Sequence, residues 1–159
     1  MNATQVERPI ARLRVEDAWS GLRIGARNVR GGLVLVSIGF LAGLAMSLYA
    51  FQPVVQPGAS LDQYDDLPRR LLRLAHIAAI MLPLINIVFG AWLDRLRLSH
   101  AAKEWASRLL LIGAVAVPLA LGVEACWAPA RQVYLSAIPV IGFCSGVFIV
   151  SIGAARTRF

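Results

Sequence analysis

The stretch LLRLAHIAAIMLPLINIVFGAWL, Leu71 to Leu93, decides the architecture of this chain. A helix rises about 1.5 Å per residue, so a run of this length crosses a hydrocarbon core about 30 Å thick. It is mostly apolar, yet it carries Arg73, His76 and Asn86. Hydrocarbon tolerates such groups only where they face a partner, a cofactor or water, so this helix is where a site would begin.

The whole chain agrees with a membrane reading. Its 159 residues are 58% hydrophobic and only 16% charged, and the mean hydropathy is +0.65. A soluble domain is roughly half apolar and about a quarter charged, so this composition indicates a membrane domain. The net charge of +7 does not point to nucleic acid, because the basic residues fall in short segments between apolar runs. There they set topology and meet lipid head groups. Arginine outnumbers lysine fifteen to one, a bias that accompanies GC-rich bacterial coding sequence. Cys126 and Cys144 are expected at depths about 15 Å apart in successive helices, too far for a disulfide.

Outward from the central stretch, three more apolar runs appear. The expected spans are 31–51, 71–93, 109–127 and 133–153, an all-α integral membrane protein with its four transmembrane helices in an antiparallel bundle. Residues 1–30 form a separate N-terminal segment and residues 31–159 the transmembrane domain. Met1 to Arg14 reads as irregular, with Pro9 as a breaker. From Val15 the period becomes helical. Ala18, Trp19, Leu22, Ala26 and Val29 share a stripe, while Arg23, Arg27 and Arg30 lie mostly off it. That pattern predicts a short amphipathic interfacial helix over about 15–30. The first span follows about thirty residues of leader and is about twenty residues long. It is therefore read as an uncleaved span and not a signal peptide.

Small residues mark packing faces. Gly39, Gly43 and Ser47 recur every fourth residue in the first span, and Gly142 and Gly146 do so in the fourth. Such faces admit a neighbouring backbone, from the same chain, another subunit or a second copy. The loop 52–68 holds Asp62, Asp65 and Asp66, whose spacing does not match a calcium loop. Helix capping by Asp65 or Asp66 is the reading preferred there, and no metal site is expected. Residues 93–108 read as a short polar connection with His100 solvated.

Orientation follows from counting Lys and Arg. Twelve lie in the leader, the 95–108 segment and the tail, against four at Arg69, Arg70, Arg73 and Arg131. The positive-inside rule then places both termini in the cytoplasm of a bacterial inner membrane.

Arg69, Arg73, His76 and Pro83 share one face of the second span, with Met46 and Glu124 expected at the same depth. The favoured reading is a polar clasp between helices: Arg73 pairs with Glu124, His76 bonds a serine or a carbonyl freed by Pro139, and Asn86 bonds Ser37 or Ser145. It fits a non-catalytic accessory or structural subunit whose partners are the lipid bilayer and other membrane subunits. No catalytic motif suggests an enzyme. The alternative is a redox subunit holding a b-type haem or a quinone near the outer surface. In that reading His76 is an axial ligand or hydrogen-bond partner, Arg69 and Arg73 lie near the propionates, and Met46 is a second ligand. A small transporter or channel is the third reading, supported by prolines in three spans.

Overall fold

The computed structural model describes the backbone over residues 4–50, 67–127 and 134–157, and side-chain surroundings over 24–48, 67–126 and 134–157. Among the described residues there are four helices: α1 (Thr4–Ala50), α2 (Leu67–Leu93), α3 (His100–Trp127) and α4 (Ala137–Arg156). Each includes a stretch long and apolar enough to cross a membrane. Large apolar side chains point outward on all four, among them Leu41 and Leu44 on α1, Ile77 on α2, Leu119 on α3 and Ile138 on α4. That inverted surface suits hydrocarbon as solvent, where apolar residues gain nothing by turning inward.

Two boundaries differ from the sequence reading. The expected interfacial helix and first span are one unbroken helix of 47 residues, and its membrane-compatible part begins at Ile24, not at residue 31. Polarity changes near residue 30, but polarity does not break backbone hydrogen bonds, and only Pro9 interrupts the ladder, close to the helix start. Likewise α3 begins at His100, nine residues earlier than the apolar run suggests. Ser99 caps it: its hydroxyl accepts from the Ala102 N–H at 3.2 Å, an N-cap bond to the third helical residue. Lys103, Glu104, Ser107 and Arg108 are therefore fixed on a helix face rather than in a loop. The proposed caps Asp65 and Asp66, and Asp62, lie outside the described residues.

Consecutive helices pack antiparallel. The register of α1 on α2 is set by glycines: Gly25 lies on Gly90, Gly32 on the Pro83 carbonyl, Gly39 on the Ala79 carbonyl and Gly43 on His76. A Cβ at Gly39 would stand 2.6 Å from the Ala79 oxygen. That carbonyl is the one left without its helical donor by Pro83, so the glycine admits α1 where α2 has a spare acceptor. Between α3 and α4, Gly113 meets Phe143, and Gly146 meets Ala106, Leu109 and Leu110. Gly142 makes only an ordinary 3.8 Å contact with Leu109, so of that expected pair only Gly146 marks a close approach. α3 touches the other three helices and carries much of the buried core, with Ala106, Leu110 and Ala114 packed beside Leu93 and Phe143.

Candidate functional site

Polar side chains gather at the end of the bundle where α2 turns into α3. Asn28, Asn86 and Ser107 have no accessible surface. Asn28, on α1, donates through Nδ2 to Asn86 Oδ1 on α2 and accepts on Oδ1 from the Ser107 hydroxyl of α3. Ser107 Oγ in turn accepts from Arg27 at 2.7 Å. Arg27 also forks onto both oxygens of Glu104, each at 3.0 Å, and Arg108 donates to the same carboxylate at 2.9 Å. A continuous chain thus runs Glu104, Arg27, Ser107, Asn28, Asn86 and ties three helices together. The planar guanidinium suits the two-oxygen grip, which fixes direction as well as distance.

The same end is tied again through the connection between α2 and α3. Asp94 Oδ1 accepts from the Gly25 N–H at 3.2 Å, and the Asp94 carbonyl accepts from Lys103 Nζ at 2.8 Å. The Arg97 N–H donates to Thr157 Oγ1 at 3.1 Å, just past the end of α4. Leu98 lies against Gly153 of α4. Arg95 stands over the Trp92 ring, 5.7 Å from its centroid, a cation–π contact.

These contacts revise the expected clasp. Asn86 pairs with Asn28, not with Ser37 or Ser145, whose hydroxyls bond back to the Leu33 and Ile141 carbonyls of their own helices. The reason is register: antiparallel packing sets residue 28 opposite residue 86, well away from residue 37. Glu124 is buried, and its two oxygens accept from the Ser136 N–H at 2.6 Å and the Ser136 hydroxyl at 3.0 Å. Its partner is thus the N-terminus of α4, where the helix dipole favours a carboxylate, whereas the sequence reading assigned it to Arg73. Arg69, Arg70 and Arg73 have interactions of their own. Pro139 falls in the first turn of α4, where an N–H needs no helical acceptor, so it frees no carbonyl for His76. His76 Nδ1 is enclosed without a hydrogen-bond partner.

The structure does bring His76 and Met46 together. Both line a groove of about 410 Å³ between α1, α2 and α3, whose other walls are apolar, from Leu35 and Gly39 to Ala114 and Leu119. Arg69 and Arg73 are not among its lining residues. The Cε1–Nε2 edge of the imidazole faces Gly43, where a Cβ would stand 2.5 Å from Cε1 and 2.8 Å from Nε2. This does not suit the expected haem. An axial ligand needs room for a broad macrocycle in front of its nitrogen, but the backbone of α1 occupies that side, and the basic groups meant for propionates line no part of the groove.

The sequence reading passed over Asn28, Ser107 and the pair Gly25 and Gly90. The signal for the first glycine was present, since Gly25, Gly32 and Gly39 recur every seventh residue, a helical repeat of one packing face. Comparisons with protein-family models, curated proteins and solved structures find no match to this chain.

Proposed function

We propose that this chain is a small multi-pass protein of the bacterial inner membrane, with both termini cytoplasmic, acting as a non-catalytic accessory or structural subunit beside other membrane subunits. The observation that carries this reading is the chain of hydrogen bonds from Glu104 to Asn86. Buried polar groups in a membrane are costly, and those that do chemistry line a cavity or path. Here the polar side chains at the α2–α3 end bond one another across helices, as groups that fix helix order do, with Asn86 Nδ2 the one buried polar atom of the cluster left without a partner among the described residues. The charge bias supports the orientation: the arginines near the α2–α3 connection and both termini would face the cytoplasm.

Purification from native membranes, with partners identified by mass spectrometry, tests the role: stable association with a larger membrane complex is expected. Isolation as a lone chain that drives ion or solute flux in liposomes would overturn it. For the orientation, a Tyr64→Cys variant in a Cys126→Ser, Cys144→Ser background should be labelled by an impermeant thiol reagent from outside the inner membrane. Labelling only from the cytoplasm would reverse the topology.

A further inference from the structure

We propose that the groove between α1, α2 and α3 binds an isoprenoid-quinone-type molecule: a flat ring bearing a carbonyl or hydroxyl, followed by an apolar tail. The volume of about 410 Å³ lies within the range of ligand pockets, roughly 300–1,000 Å³, which are mostly apolar with few polar groups that fix orientation. His76 supplies that polar group. Its Nδ1 is enclosed without a partner, whereas Nε2, beside Gly43, is not among the enclosed atoms, and a single ligand oxygen can reach it where a macrocycle cannot. A ring nitrogen of imidazole can donate to a quinone carbonyl or accept from a quinol hydroxyl, so one residue serves both forms of the ligand.

The position of His76 along the groove fits a head and a tail. On α1 the lining runs from Leu35 to Met46, about 16 Å at 1.5 Å per residue. His76 lies at the level of Gly43, about a turn from the Met46 end, which is the end nearer the helix terminus. The apolar lining then continues about 12 Å towards Leu35, deeper in the span. A phospholipid fits less well. Its charged head group needs cationic or multiple hydrogen-bond donors, which the lining does not offer, and an acyl chain alone would have no use for the imidazole. Binding is through the head-group hydrogen bond and tail burial, with no electron transfer invoked.

The test uses the full chain in nanodiscs of synthetic phosphatidylcholine, titrated with decylubiquinone, with binding above that of empty discs read by equilibrium partition. Saturable one-site binding is expected. His76→Leu should weaken it tenfold or more, and Ala42→Phe, which fills the groove from the wall of α1, should abolish it. Leu84→Phe, on an exposed position of α2 outside the groove, should bind as the parent does. Thermal melting of each variant separates lost binding from lost folding, and a misfolded Ala42→Phe would be replaced by Val115→Phe on the α3 wall. Uptake equal to that of empty discs, or unchanged affinity in a folded His76→Leu, would overturn the proposal. So would native mass spectrometry showing a retained phospholipid that Ala42→Phe loses and His76→Leu keeps, since the groove would then be an acyl-chain slot.

Discussion

At the α2–α3 end, side chains from three helices close on Asn28, and the connection itself reaches α1, α3 and the end of α4. Towards the opposite end, the described contacts include glycines on a carbonyl and an imidazole, and one carboxylate on a helix start. The first end combines a close backbone approach, Gly25 on Gly90, with directed polar bonds among three helices, whereas farther along Gly39 and Gly43 bring α1 onto α2 beside a groove where side chains are small. Both devices are usual where lipid removes the hydrophobic drive for helix association. The difference shows how one short chain can fix helix order at one level and keep a cavity at another.

The comparison breaks most readily through the glycines. Gly39→Leu and Gly43→Leu should each lower stability in detergent by about 1–3 kcal/mol or more, because the added side chain meets a carbonyl or the His76 ring and α1 must move away from α2. Gly122→Leu should cost little, since nothing lies within 4 Å of a Cβ there. Thermal melting checks the contrast, and equal losses at all three positions would mean that α1 does not approach α2 in this register. A smaller effect is expected from Glu104→Gln, below about 1 kcal/mol, because the Arg27–Glu104 pair is partly open, with side chains 44% and 22% exposed. Melting at low and high salt should show this loss shrinking as ionic strength rises. Smallest of all, Gly142→Ala should leave the melting temperature within error, while Gly146→Leu should lower it through Leu109 and Leu110.

The number of spans, their order and the antiparallel bundle were legible in the sequence, because about twenty apolar residues have one common solution in hydrocarbon. The two helix starts were not. The segment around Ser99 looks polar and therefore looks like a connection, and the change of polarity near residue 30 looks like a boundary between an interfacial helix and a span, but a helix can carry polar residues beyond the bilayer core or bond them across to a neighbour. His76 and Met46 line one groove, each lying a few turns from the same end of its span, whereas Arg69 and Arg73, expected at that depth too, do not line it. The partner of Asn86 was missed for a different reason. Depth alone leaves several candidates, and the choice of Asn28 rests on the α1–α2 register, which glycine contacts fix only in three dimensions.

The Asn28–Asn86 bond holds α1 to α2 inside the bundle, and a double-mutant cycle on thermal or denaturant unfolding measures that bond. Asn28→Leu should cost about 1–3 kcal/mol because it leaves the buried Asn86 amide with no partner at all, and Asn86→Leu less, because Asn28 keeps its bonds with Ser107. The double variant removes both polar groups together and should recover part of that loss, giving a coupling of about 0.6 kcal/mol or more. Additive losses would mean that the two asparagines do not meet and that this bond does not hold α1 to α2.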